Sequence, residues 1–334
     1  MENGKRDGGR WNKPAMIGII LLLTTGVFLS VIGFSNGDED GGSGAAAGTA
    51  VPGLRKVRIV LDGYPNARHA FLFAAEAKGY LRESGFLLEP VVAGPDDDPL
   101  AMVDEGKADL ALASQPDVLL ARRDGRSVVS IAAIVQRPLV YLMVPKDSPI
   151  HGPGHLDGKT VAWSGSPVHE AMLETMLDGA SGRKPKVTLV KAEGRYADMV
   201  FGGRADALIG PTILDGMERL ERGGRKLRVI EPMLYGVPRY YETVLAAGER
   251  ALAENPDMFV RIWSALAKGF EYTCNDPEGA ARLLADAGVF DGNPSWSVSL
   301  ESLTRQLPFM QPVDAPFGSQ DKEVWKETEK WLAD

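Results

Sequence analysis

The sequence predicts an α/β fold of two similar lobes around a central ligand cleft, preceded by an N-terminal transmembrane helix. Three observations carry that prediction. Short β-rich runs alternate with helical runs from Lys56 onward, the pattern restarts near Lys159 with the same corner motif, and a basic leader followed by an apolar run opens the chain. Alternation of this kind marks a parallel-rich sheet covered by helices, and a restart marks a second use of one plan.

At the N-terminus, Lys5, Arg6, Arg10 and Lys13 precede an uncharged run of nineteen residues, Met16 to Phe34. At 1.5 Å per residue that run extends about 28 Å, close to the thickness of a hydrocarbon core. The basic flank is expected to stay in the cytoplasm, which puts everything after Phe34 outside. A cleaved signal has a shorter apolar core and a small-residue site just beyond it. Here Ala45-Ala46-Ala47 comes only after the polar stretch Ser35 to Ser43, and no Cys stands next to the apolar run to take a lipid. The expectation is a cytoplasmic leader (1–14), an uncleaved anchor with a cleaved signal as the alternative (15–35), and a linker (36–54). Asp38 to Pro52 is rich in Gly, Ala, Ser and Asp and reads as a flexible tether.

The remaining length suits two lobes. The net charge of −8 argues against a nucleic-acid partner, whose phosphates need a basic surface. Four His and a single Cys, Cys274, leave no intramolecular disulfide and no Cys-rich zinc site. No Gly-rich phosphate loop ending in Lys-Ser/Thr and no nucleophile elbow is present. No catalytic set, metal or cofactor is therefore expected, and the protein is expected to be a monomer.

In order, strands are predicted at Val57–Leu61, Leu87–Val92, Leu110–Ala113 and Val128–Ile134. Helices are predicted at Ala67–Arg82, Pro99–Glu105 and Pro116–Arg123. The second lobe opens with a strand at Lys159–Trp163 and a helix through Leu177. A returning strand is expected at Tyr241–Ala247, then helices at Asp257–Asn275, Pro277–Ala287, Ser295–Leu307 and Asp321–Ala333. Lobe 1 is assigned to 55–145 and 242–334, and lobe 2 to 146–241. Asp62-Gly63-Tyr64-Pro65 and Ser164-Gly165-Ser166-Pro167 are matching strand-to-helix corners, 102 residues apart. Gly106-Lys107-Ala108-Asp109 and Gly203-Arg204-Ala205-Asp206 match at an offset of 97. Each Gly suits the left-handed position after a helix. Ligands of open α/β sheets sit beyond the carboxyl ends of the strands, which places the two corners face to face across a cleft able to close by hinge motion.

At these corners the chain resembles the substrate-binding proteins of ABC importers for thiamine pyrimidine precursors, within the wider sulfonate- and nitrate-binding group. The resemblance rests on an ordered set over about 56–333. It runs Leu61-Asp62-x-x-Pro65-Asn66-x-x-His69, Ala77-Lys78-Gly79-Tyr80, Gly106-Lys107-Ala108-Asp109, Gln115-Pro116-Asp117 and Gln136-Arg137-Pro138-Leu139. Ser164-Gly165-Ser166-Pro167, Gly236-Val237-Pro238-x-Tyr240, Ala265-Leu266-Ala267-Lys268-Gly269 and Phe317-Gly318-x-Gln320-Asp321 complete it. It implies a type-II periplasmic-binding-protein fold, a small flat heteroaromatic ligand, and an ABC permease and its ATPase as partners. Gly63 stands where the family usually has Trp, and Pro211-Thr212-Ile213-Leu214-Asp215-Gly216 replaces its Asn-aromatic-Glu segment. The family also holds a eukaryotic pyrimidine synthase that consumes its own His and a Lys-bound pyridoxal phosphate. Ala113 and Asp117 occupy those Lys and His positions, and Leu234 to Pro238 replaces that enzyme's Cys-rich run.

A flat polar heterocycle needs a stacking face and a few fixed donors and acceptors. Candidate faces are Tyr64, Trp163, Tyr235, Tyr240 and Tyr241, each also readable as core or surface packing. Asn66 is a ligand contact or a helix cap. His69 and Gln115 are polar residues at helix starts, and Asp117 pairs with a ligand amino group or serves as a helix-start anion. Ser164, Gly165 and Ser166 offer hydroxyls and N–H groups. Glu170, one turn further, favours an amine-bearing ligand, and Glu242 stands near the returning strand. Two rivals to the transport role stay open at this point: a pyrimidine-forming enzyme on the same fold, and an anchored sensor of the same ligand.

Overall fold

The computed structural model describes residues 53–63, 65–94, 97–180, 182–192, 196–210, 224–287 and 296–333. All elements named below belong to one compact unit, Leu54–Asp334. The expected leader, membrane span and nearly all of the linker lie outside the described residues. Among the described residues no helix is long and apolar enough to cross a membrane.

Two five-stranded sheets organise the chain. The first has the order β2 (Phe86–Val92), β1 (Arg55–Leu61), β3 (Leu110–Ala113), β10 (Thr243–Gly248), β4 (Val128–Val135). The second has the order β7 (Thr188–Lys191), β6 (Thr160–Trp163), β8 (Ala207–Gly210), β5 (Tyr141–Pro145), β9 (Leu227–Ile230). In each, three parallel strands lie beside a strand antiparallel to both its neighbours. That strand is the first one reached after the chain changes sheets: β5 on the way out, β10 on the way back. The repeat read from two short motifs is thus a repeat of topology.

The Gly-basic-Ala-Asp motif has the same mechanical role twice. Gly106 (φ +72°) and Gly203 (φ +70°) take the left-handed conformation that follows α3 (Pro99–Asp104) and α6 (Tyr196–Phe201). Asp109 then accepts the Arg58 N–H at 2.9 Å and returns its own N–H to the Arg58 carbonyl, and Asp206 does the same with Thr160 at 2.9 Å. The carboxylate supplies an acceptor where a strand begins and no ladder partner yet exists.

One expected boundary moves. Residues through 145 were assigned to the first lobe, but Tyr141–Pro145 pairs antiparallel with β8 and β9 in the second sheet. The chain therefore leaves the first sheet at 136–140. Periodicity reveals that a segment is a strand; which sheet accepts it depends on distant pairing partners. The predicted Ala67–Arg82 helix is likewise broken into a 3₁₀ turn (Ala67–His69), α1 (Ala70–Ala77) and α2 (Tyr80–Glu83), with Gly79 at φ +80° between the last two.

Both sheets are covered on both faces. In the first, Ile59, Leu61, Leu110, Leu112, Ile134 and Leu245 pack with Phe71 and Leu72 of α1 and Ile262 and Leu266 of α8 (Pro256–Asn275), which follows α7 (Glu249–Glu254). The alternate residues Val60, Ala111, Ala133, Val244 and Ala246 face α3 and α4 (Gln115–Arg123). This is the period-2 alternation of a sheet buried on both sides. In the second sheet, Leu142, Val161 and Ile209 face Met172, Leu173 and Met176 of α5 (Pro167–Asp178), while Met143, Ala162 and Leu208 face α6.

Helices α9 (Pro277–Asp286), α10 (Trp296–Met310) and α11 (Lys322–Ala333) complete the chain. Gly269 of α8 explains its place in the Ala-Leu-Ala-Lys-Gly motif. A Cβ there would stand 2.3 Å from the Phe71 carbonyl oxygen and 2.8 Å from the Ala75 Cβ, so α1 and α8 meet backbone to backbone. Helix propensity alone would make Gly269→Ala stabilising by about 1 kcal/mol. The clash dominates instead, and Gly269→Val is expected to lower stability by about 3 kcal/mol, read as a reduced urea midpoint. An unchanged midpoint would refute the close approach.

Two crossing segments run side by side between the sheets. Arg239 Nε donates to the Gln136 carbonyl at 3.2 Å, and the Leu139 N–H donates to Glu242 Oε2 at 2.7 Å. Helix α11 forms a third link. Its Val324 packs in the first sheet's core, whereas Trp331 packs on the second sheet's core, donates to Thr175 Oγ1 at 2.8 Å and stacks on Tyr240.

Candidate functional site

The first corner is built around Asp62, directly after β1. Its Oδ1 accepts from His69 Nε2 at 2.8 Å, its Oδ2 accepts from Thr243 Oγ1 at 3.2 Å, and the Arg68 guanidinium lies 3.6 Å away. Burial alone would push this carboxyl up, but the Arg68 charge and the His69 and Thr243 hydrogen bonds together hold it well below the usual carboxylate range. His69 has no exposed surface, and its Nδ1 accepts the Asn66 N–H at 3.0 Å, so both ring nitrogens are used. Asn66 forms a reciprocal capping box with His69 and also accepts the Arg68 N–H at 3.0 Å. Asn66 thus caps the 3₁₀ turn, and His69 is held inside the protein by Asp62 and the Asn66 N–H. Tyr64 lies outside the described residues.

Glu242 stands next to this corner. Burial first, and the Asp62 charge after it, raise its carboxyl to about 7 against the pull of the Leu139 N–H, Arg68 and Tyr240. Oε2 takes both the Leu139 N–H and the Tyr240 hydroxyl (3.3 Å), while Oε1 has no hydrogen-bond partner among the described residues. Asp117, in the first turn of α4, accepts from Ser114 Oγ at 2.6 Å. It is open to water yet enclosed on most sides, and that partial loss of solvent pushes its carboxyl up. Three carboxylates therefore mark the first-sheet side.

The second corner is different in character. Gly165 adopts φ +90°, a left-handed conformation that favours glycine, and lies against the flexible end of the Lys191 side chain. Ser166 caps α5 by accepting the Val168 N–H at 3.3 Å. Ser164 Oγ accepts the Ser166 N–H at 3.1 Å and lies 2.5 Å from His169 Nδ1. Trp163 is half-buried against the α5-side core, and Glu170 is exposed in the first turn of α5.

Four expected contacts are not brought to the corners. Gln115 is fully buried, its Oε1 accepting the Tyr241 N–H at 2.8 Å and its Nε2 donating to the Val324 carbonyl at 3.3 Å, so it ties α4 to the returning chain and to α11. Tyr240 is 1% exposed and sandwiched on Trp331, leaving no face for a ligand; Tyr241 is equally buried, its hydroxyl accepting the Asp321 N–H at 2.6 Å. Tyr235 packs on Gly179, just past the carboxyl end of the 12-residue α5. That end is about 18 Å from the corner at the helix start. Each correction has one cause: aromatic and amide side chains near a predicted corner have the same sequence appearance whether they face in or out.

Sequence reasoning overlooked His169, Lys191 and Tyr141. His169 had a signal, since two of the four histidines, His69 and His169, fall in the first turn after a corner motif. Tyr141, half-buried on β5 and coupled electrostatically to Glu231 and Glu242, was hidden by the misplaced boundary. Two surface recesses lie away from the corners, one of about 890 Å³ beside Lys146, Asp147 and Arg228, the other of about 360 Å³ beside Phe73, Leu88 and Leu283. Neither collects the corner residues.

With this geometry in place, residues 66–280 match the family described as "NMT1/THI5 like". The chain is also 35% identical over 280 residues to a formylaminopyrimidine-binding protein of Halalkalibacterium halodurans, covering 84% of this chain and 85% of that one. The chain belongs to the NMT1/THI5-like family. Another relative of this NMT1/THI5-like protein is the 4-amino-5-hydroxymethyl-2-methylpyrimidine phosphate synthase THI12 of Saccharomyces cerevisiae, 26% identical over 66% of this chain and 68% of the relative. Among solved structures, the periplasmic aliphatic sulphonate binding protein SsuA of Escherichia coli superposes with a TM-score of 0.61 at 18% identity, covering 83% of this chain and 86% of that one. The fold of this NMT1/THI5-like chain is therefore the periplasmic-binding-protein α/β fold with two sheets.

Proposed function

We propose that this protein is the extracytoplasmic substrate-binding component of an ABC importer, and that its ligand is an aminopyrimidine of the thiamine-precursor class. The observation that carries the reading is the polarity of the paired corners. Carboxylates (Asp62, Asp117, Glu242) mark the first-sheet side and suit the amino donors of such a ring, while Ser164, His169 and Lys191 add uncharged and cationic donors at the second, next to the exposed Glu170. The formylaminopyrimidine-binding relative supports the choice of ligand.

On this reading residues 55–135 with 243–334 form one lobe and 141–230 the other, and the two crossing segments are the hinge. Ligand bridging the corners stabilises the closed state, which the permease recognises. Residues 15–35 hold the protein to the membrane, and the tether keeps it near the permease at high effective concentration. A binding role is preferred to the synthase chemistry of the yeast relatives because Ala113 and Asp117 stand where that enzyme's Lys and His are expected.

The test is calorimetric titration of the soluble part (residues 54–334) with aminopyrimidines, accompanied by small-angle scattering. Micromolar or tighter binding with a decrease in the radius of gyration is expected. Binding of an alkanesulfonate instead, or no binding and no compaction with any aminopyrimidine, would refute the proposal.

A further inference from the structure

The internal repeat supplies its own control for the two corner histidines. In each lobe a histidine in the first turn after the corner bonds back to the polar residue that follows the strand: His69 to Asp62 at 2.8 Å, and His169 to Ser164 at 2.5 Å. The first is closed. Asp62 holds Nε2, the Asn66 N–H fills Nδ1, and the ring has no exposed surface. The second is open. His169 is only partly buried, and Nε2 has no protein partner among the described residues and is not sealed from solvent.

The hydrogen-bond network accommodates one tautomer in which the Ser164 hydroxyl is used as both acceptor and donor. Ser164 Oγ already accepts the Ser166 N–H at 3.1 Å. The acceptor available to its own hydroxyl proton among the described residues is His169 Nδ1. With the Ser164 hydroxyl donating, Nδ1 is the acceptor and the ring proton resides on Nε2. Burial also depresses His169 to about 4, so at neutral pH the ring is uncharged. The result is one neutral N–H donor near the carboxyl end of β6, with no acceptor of its own among the described residues.

We infer that His169 is a specificity-determining residue of the cleft, reading a neutral hydrogen-bond acceptor on the ligand, such as the carbonyl oxygen of a formylamino substituent, through Nε2–H. Ser164 is the positioning residue that holds the tautomer. The assignment rests on the ligand reading above and deepens it. The acidic corner selects the amino edge of the ring, and His169 selects its acceptor-bearing substituent. A ring lacking that acceptor leaves a desolvated donor unpaired, which is where discrimination by hydrogen bonding arises.

The experiment compares two probes, an aminopyrimidine bearing a formylamino group and the same ring with a methyl group in its place, on the wild type, His169→Phe, His169→Gln and Ser164→Ala. The wild type is expected to prefer the formylamino ring. His169→Phe should weaken that ring by about tenfold to a hundredfold and change the methyl ring by less than about threefold. His169→Gln, which restores an N–H donor, should recover part of the preference, and Ser164→Ala should lose part of it. A ¹⁵N spectrum of His169 should show the Nε2–H tautomer with no titration between pH 5 and 8. If His169→Phe weakens both rings equally, or neither, the inference is overturned while the functional reading stands. If the wild type binds neither ring, the functional reading fails and carries the inference with it.

Discussion

Replacing Asp62 by Ala is expected to destabilise the protein by about 3 to 5 kcal/mol, the range for removing one partner of a buried ion pair. The carboxylate serves three groups at once: the Arg68 guanidinium, the His69 Nε2–H and the Thr243 hydroxyl. Thr243 opens the returning strand β10, so the same residue ties the corner to the segment that comes back from the second sheet. Removing it strips Arg68, which is 7% exposed, of this counter-ion and leaves a fully buried imidazole donor unmatched. The sign of the pH effect follows. A carboxyl held below its ordinary value contributes stability above about pH 4 and loses it as the pH falls further. Asp62→Asn keeps the shape and removes the charge. In urea denaturation the wild-type advantage over Asp62→Asn is expected to be full at pH 6 and to shrink below pH 4. An advantage independent of pH would show that the second acceptor oxygen, not the charge, carries the effect.

Glu242→Gln is expected to act in the opposite sense, and by a comparable amount. The folded state raises Glu242 from 4.5 to about 7, chiefly through burial. Between those values the folded protein holds a proton that the unfolded chain has released, so stability falls as the pH rises through the window. The swing is about 3 kcal/mol between pH 4.5 and 7. Glutamine imitates the protonated acid: its carbonyl still accepts the Leu139 N–H, and the link between the crossing segments survives. The variant should match the wild type near pH 4.5 and exceed it by about 2 to 3 kcal/mol at pH 8. The difference between the two denaturation series isolates Glu242 from the other titrating groups. Parallel series across this range would exclude the shifted carboxyl. Because Glu242 joins the crossing segments, the same substitution also tests whether charge at the hinge limits the resting stability of the protein.

How much of this was legible in the sequence differs by level. Alternating apolar residues located β1, β2, β3, β4, β6 and β10, and helical spacing located α3, α4, α5 and the four long tail helices within a few residues, because those patterns are imposed locally by which face is buried. The internal repeat was equally visible, since Gly106 and Gly203 need the same left-handed backbone and Asp109 and Asp206 make the same strand-start bond. The corners were placed correctly by the Gly-x-Pro pattern, which turns the chain whatever surrounds it.

The sequence by itself determined that there are two copies of one α/β plan, in what order their elements come, and that polar corners follow β1 and β6. Only the tertiary structure decided that β5 belongs to the second sheet, that Gln115 and Tyr240 are internal struts, that Tyr235 stands at the far end of α5, and that His169 rather than His69 has a donor to spare. The physical reason is range. Backbone conformation and burial period are set by neighbours a few residues away, whereas sheet membership, counter-ions and the direction a side chain faces are set by partners a hundred or more residues distant, as with Asp62 and Thr243 or Leu139 and Glu242.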